Sequence, residues 1–95
     1  MESLVDQGLT KSIGVSNFNT QILWDLLTYC RIKPVCNQIE LNPQCTQTEL
    51  VRFCLAKDIR PVAYSPVARP AGKEEDLTNN AYLKELAAKY NKTVV

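Results

Sequence analysis

With 95 residues, of which 45% are hydrophobic and 22% charged, the chain makes one small domain at most, and so ordinary a composition excludes a disordered polypeptide. A formal net charge of +1, with Lys and Arg scattered among Asp and Glu, leaves no basic face for nucleic acid or another polyanion. Apolar runs of a few residues and the lack of a charged-then-apolar leader point away from a membrane and towards the cytoplasm.

The pattern alternates helix-like and strand-like pieces. Met1 to Gln7 reads as the end of a helix, closed by Gly8, which adopts a left-handed cap most readily. Lys11 to Ser16 is a short apolar strand. Asn19 caps a helix whose apolar stripe is Ile22, Leu23, Leu26 and Leu27. Pro34 opens a second strand through Val35, Cys36, Gln38 and Ile39, proline being tolerated at a strand's first residue. Asn42-Pro43 breaks it. Thr46 followed by Glu49 is a capping-box pattern, and Leu50, Val51, Cys54 and Leu55 continue as a helical stripe. Arg60 to Tyr64 is a third strand, and Pro66, Pro70 and Gly72 mark a loop. A last amphipathic helix covers about Asn80 to Tyr90, with Tyr82, Leu83, Leu86 and Ala87 inward, and Asn91 ends it.

Strand-plus-helix units at a spacing of roughly 30 residues, the size of a βα unit, predict a parallel sheet with right-handed crossovers. Composition leaves open a flavodoxin-like sheet or part of a (β/α)8 barrel. Cys30, Cys36, Cys45 and Cys54 form no C-x-x-C pair, and the chain has no histidine, so no metal site is expected and the cysteines read as reduced thiols.

Parallel sheets carry their chemistry at the C-terminal strand ends. Here those ends are Ser16-Asn17, Gln38 and Tyr64-Ser65-Pro66. A hydroxyl, two amides and a phenol in that order suit a planar ring bearing a carboxamide. Ser16, Asn17 and Gln38 would hydrogen-bond the amide, and Tyr64 would offer a face for stacking.

G-V-S-N-F (Gly14 to Phe18), N-Q-I-E (Asn37 to Glu40), T-Q-T-E-L, A-Y-S-P (Ala63 to Pro66) and the closing K-Y-N-K-T-V-V together resemble the aldo-keto reductase family from Met1 to Val95. The resemblance implies an α/β fold, a partial (β/α)8 TIM barrel of about three βα units, strands five to seven of the parent, with residues 1–95 forming a partial NADP-dependent oxidoreductase domain. It implies that Ser16, Asn17 and Gln38 bind the nicotinamide amide, that Tyr64 stacks on the ring, and that Ser65 and Val67 contact the pyrophosphate. The parent reaction would be hydride transfer from NADPH to a small aldehyde or ketone.

The family's catalytic Asp, Tyr, Lys and His match no residue here, so no catalytic residue is assigned. The groups that recognise the 2′-phosphate of NADP would lie outside this chain. The expectation is a chain inactive alone. Its rival is a non-catalytic truncated interaction protein that self-associates through exposed sheet edges. Two departures stand out: Asn42-Pro43-Gln44 replaces His-Pro-Tyr at the rim, and Val67-Ala68-Arg69 replaces Leu-Gly and a small polar residue. Ala68 should hinder backbone approach to phosphate, with Arg69 offsetting this by charge.

Overall fold

The structure is a computed structural model that describes residues 1–68 and 77–95. A short helix α1 (Glu2–Asp6) precedes strand β1 (Val15–Ser16), helix α2 (Thr20–Tyr29), strand β2 (Cys36–Glu40), helix α3 (Thr48–Ala56) and strand β3 (Arg60–Tyr64). A 3-10 turn (Leu77–Asn79) leads into α4 (Ala81–Lys89). The sheet is parallel throughout, in the order β1-β2-β3. Arg69, Pro70 and Gly72 of the predicted proline-rich loop lie outside the described residues.

Two parallel strands need a crossover, and α2 and α3 supply them on one face of the sheet. Their shared core is Leu23, Cys54 and Ile59, packed against Val15, Phe18, Leu27, Leu50 and Phe53. Ile39 of β2 is also buried. Register then sorts the strands. Val15, Asn37 and Pro61 lie abreast on the helix side, while Ser16, Gln38 and Val62 lie abreast on the other. Of the apolar strand residues, Val15 and Ile39 therefore belong to the helix-side core, and Cys36 and Val62 share the opposite face with Gln38.

Local signals locate the helices well. Asn19 accepts the Ile22 N–H at 2.8 Å, and Asn80 accepts that of Leu83 at 3.2 Å, so both asparagines are working N-caps. Gly8 has φ +69° and closes α1 by donating to the Val5 carbonyl. Glu2 then anchors α1 by accepting the Arg31 and Ile32 N–H groups at 2.8 and 2.7 Å. The exposed Arg31 guanidinium pairs with Asp6 at 2.6 Å, which holds its pKa above the ordinary arginine value.

Several boundaries differ from the sequence reading. The first strand is two residues long instead of six, because β1 has one ladder neighbour and only Val15 and Ser16 pair with it. The second begins at Cys36, past the buried Pro34. Strand starts fall 21 and 24 residues apart (Val15, Cys36, Arg60), closer than the expected 30, because the connecting loops are short.

The Thr46–Glu49 capping box does not form. Gln47, at φ 41°, is the N-cap of α3 and makes no cap bond; its side chain instead donates to the Glu40 carbonyl at 2.6 Å. That tie pins the start of α3 to the end of β2. Ile22 is 46% exposed because Leu23, Leu26 and Leu27 already fill the inward stripe. Tyr82, expected inward, is 69% exposed, and Leu83 and Ala87 are the half-buried face of α4.

One glycine is required by close approach. A Cβ on Gly14 would stand 2.5 Å from the Cys36 Sγ and 3.2 Å from the Cys36 carbonyl oxygen, so β1 lies against β2 only without a side chain there. The four cysteines are free thiols, and Cys54 alone is buried. Among the described residues no helix is long and apolar enough to cross a membrane.

Candidate functional site

β1, β2 and β3 end side by side, and Ser16, Asn17, Gln38 and Tyr64 come together there. The Ser16 hydroxyl donates to the Gln38 carbonyl at 2.8 Å, and the Asn17 N–H donates to the same oxygen at 2.9 Å. The Tyr64 hydroxyl reaches across β2 and donates to Asn17 Oδ1 at 3.0 Å. The first and third strand ends are thus joined by a bond between residues 47 apart in sequence.

Those bonds determine what the corner presents. With Asn17 Oδ1 accepting from Tyr64, the Nδ2 of the same amide is a donor left for other partners. The Ser16 proton is given to Gln38, which leaves the Ser16 lone pairs as acceptors. The Gln38 side chain is exposed and makes no hydrogen bond among the described residues. Donor and acceptor groups therefore sit on one surface, at the end of a shared sheet face.

Backbone strain concentrates in the same place. Asn17, Ser65 and Ala68 have φ of 58°, 49° and 61°. Asparagine tolerates the left-handed region better than most residues; serine and alanine gain nothing from it. The segment after β3 is a turn in which the Ala68 N–H donates to the Ser65 carbonyl at 2.9 Å. Ser65 and Val67 are half-buried in this turn, and Asn42 Nδ2 donates to the Ser65 carbonyl at 3.4 Å.

Ala68 therefore departs from glycine at a left-handed residue. Replacing Ala68 by Gly should raise stability by up to about 1.5 kcal/mol: it relieves Cβ strain of roughly 1–2 kcal/mol against an unfolded-state entropy cost of roughly 0.4–1 kcal/mol. The expected readout, at fixed chain concentration, is a higher denaturation midpoint at unchanged slope. A lower midpoint would mean that the turn does not hold Ala68 left-handed in solution.

The burial of two polar residues, Asn37 and Asn42, was not anticipated from the sequence. Asn37 sits on the helix side of β2. Its Nδ2 donates to the Phe18 carbonyl at 2.7 Å, and its Oδ1 accepts the Phe18 N–H at 3.3 Å. Asn42 donates to Glu40 Oε1 at 3.2 Å and accepts the Gln44 N–H at 3.0 Å, besides its bond to Ser65. The asparagine at the rim is thus a structural tie. A signal existed for Asn37, since asparagine is depleted from strand interiors. Among the described residues no group of acidic, cysteine or histidine side chains is placed to hold a metal.

The model of the aldo/keto reductase family matches residues 1–94, and the chain belongs to that family. Aldose reductase C of Dictyostelium discoideum is 54% identical over 94 residues, covering 99% of this chain and 28% of that protein. The crystal structure of aldose reductase from Giardia lamblia superposes with a TM-score of 0.88 at 39% identity, covering 99% of this chain and 31% of that one. An aldo-keto reductase solved in complex with NADPH (AKR2E5) gives 0.85 at 39% identity, covering 98% and 30%. The chain thus spans a little under a third of the length of these relatives. The solved relatives are TIM barrels, and the three-stranded parallel sheet corresponds to part of one.

Proposed function

We propose that this chain carries the nicotinamide-binding corner of an NADPH-dependent aldo-keto reductase, strands β1 to β3 corresponding to strands five to seven of the parent barrel. The observation that carries this reading is the hydrogen-bonded set Ser16, Asn17, Gln38 and Tyr64 at three adjacent strand ends. The donor and acceptor pattern fits a primary carboxamide. Asn17 Nδ2 would donate to the amide oxygen, Ser16 Oγ would accept from the amide nitrogen, and the Gln38 side chain could do either. Tyr64, fixed through its hydroxyl, supplies the aromatic face.

Bound there, the cofactor would supply the hydride for an aldehyde or ketone carbonyl. The chain's own residues would orient the ring and hold one face of it. Ser65 and Val67, in the turn that Asn42 secures, would meet the pyrophosphate, and Ala68 limits how closely that backbone approaches. No residue of this chain takes the role of the catalytic Asp, Tyr, Lys or His, and the 2′-phosphate would be recognised outside it. The setting proposed is the cytoplasm, and the partners are the cofactor and a small carbonyl compound.

The test is a complete barrel in which this segment replaces its counterpart in a solved relative. Asn17→Ala, Gln38→Ala and Tyr64→Ala should each weaken NADPH binding about fivefold to tenfold, because each removes one or two hydrogen bonds or the stacking surface, worth on the order of 1 kcal/mol. Unchanged affinity and turnover in all three would overturn the assignment.

A further inference from the structure

The structure assigns Asn37 as a positioning residue for this corner: its buried amide holds Phe18 by two hydrogen bonds and so fixes the left-handed Asn17 and the Ser16 hydroxyl before it. The backbone ladder between β1 and β2 ends with the Asn17 N–H on the Gln38 carbonyl. One residue further the chain leaves the sheet towards α2, and Phe18 loses ladder partners for both its N–H and its C=O. The Asn37 side chain supplies both, at 3.3 and 2.7 Å, in place of a strand. Few side chains can donate and accept in this way at so short a reach.

Burial makes the arrangement stringent. Asn37 is 0% exposed, so water cannot replace either bond. A titratable neighbour is Cys54 of α3, whose Sγ accepts from Nδ2 at 3.9 Å. Val15 and Pro61, its register partners on either side, carry no charge. Asn17 alternates with Asn37 in this scheme: one faces the site and the other, on the far side of the sheet, keeps it there. Among the described residues the Asn37 side chain hydrogen-bonds Phe18 and Cys54 and none of Ser16, Asn17, Gln38 or Tyr64, so its effect passes through Phe18.

The clamp's chemistry provides its own test. Asn37→Ala removes both bonds. Asn37→Asp keeps the acceptor, but its carboxylate opposes the Phe18 carbonyl; once protonated, its O–H donates to that carbonyl and both bonds return. Burial raises a carboxyl's pKa, so the change should fall between about pH 8 and about pH 5. Site-resolved hydrogen exchange of the full chain is the measurement, expressed as protection relative to the free amide. In Asn37→Ala the Asn17 and Phe18 amides should lose about tenfold or more at both pH values, with β2 and β3 less affected. In Asn37→Asp the Asn17 amide should lose as much at about pH 8 and regain it at about pH 5. The wild-type chain, which keeps Cys54, should show no such dependence.

Retained protection at Asn17 and Phe18 in Asn37→Ala overturns the clamp. So does equal loss over the whole sheet in both variants at both pH values, because Asn37 would then act only as part of the core. So does an Asp variant indifferent to pH. A second arm rests on the proposed function: in the complete barrel, NADPH affinity in Asn37→Asp should follow the same pH pattern. NADPH affinity left unchanged there by Asn17→Ala, Gln38→Ala and Tyr64→Ala would sink the nicotinamide reading, while the exchange results would still decide the clamp.

Discussion

Purified as a 95-residue polypeptide, the chain is expected to reduce no carbonyl with NADPH above background. Carbonyl reduction needs a proton delivered to the oxygen as hydride reaches the carbon, and a positioned general acid is worth about 10²–10⁴ in rate. The chain contains no histidine. Among the described residues, the acidic side chains at the strand ends are Glu40 and Tyr64. The Tyr64 proton is already directed at Asn17 Oδ1, and Glu40 accepts a hydrogen bond from Asn42. Among the described residues no lysine is hydrogen-bonded to Tyr64. On the proposed reading, the groups that would stabilise charge on the carbonyl oxygen lie outside this chain, which withholds a further rate factor of similar size. The assay is loss of NADPH absorbance with aromatic aldehydes. Turnover that Tyr64→Phe abolishes would overturn the expectation and make Tyr64 the proton donor.

The same polypeptide is also expected to be stable only when associated. β1 and β3 each have one edge without a strand partner in the three-stranded sheet. The radius of gyration is 17.2 Å, against about 12 Å for a compact domain of this length. The buried hydrophobic residues are five among those described, while Leu9, Trp24, Tyr29, Val35, Leu55 and Tyr90 are all at least 49% exposed. Each large apolar side chain left in water forfeits roughly 1.5–3 kcal/mol, so a few of them match the whole stability of a small domain, about 5–15 kcal/mol. Unpaired parallel edges offer a ready route to pairing with another copy. Sedimentation at low micromolar concentration should show species larger than the monomer, with a thermal transition that rises with concentration. A sharp, concentration-independent transition from a strict monomer would sink this expectation and make the chain a self-sufficient α/β module.

Much of this was legible in the sequence wherever a rule acts over three or four residues. Asn19 and Asn80 cap helices because a side-chain oxygen reaches the N–H three residues on. Gly8 closes α1 because it alone tolerates φ +69° without strain. The third strand runs from Arg60 to Tyr64 as read, and the order of polar groups at the strand ends followed from the direction of a parallel sheet. The capping box at Thr46 failed because Gln47 had a stronger use seven residues back, on the Glu40 carbonyl. Which apolar residues face the helices also stayed hidden, since Val15 and Ile39 alternate with Ser16 and Gln38 in a register that only pairing sets. The bond from Tyr64 to Asn17 and the hold of Asn37 on Phe18 span 47 and 19 residues. Local chemistry along the chain thus determined the elements and the residue types at their ends. The closed corner they form was decided by tertiary packing, because a buried amide acquires its partners only when β1 and β2 lie side by side.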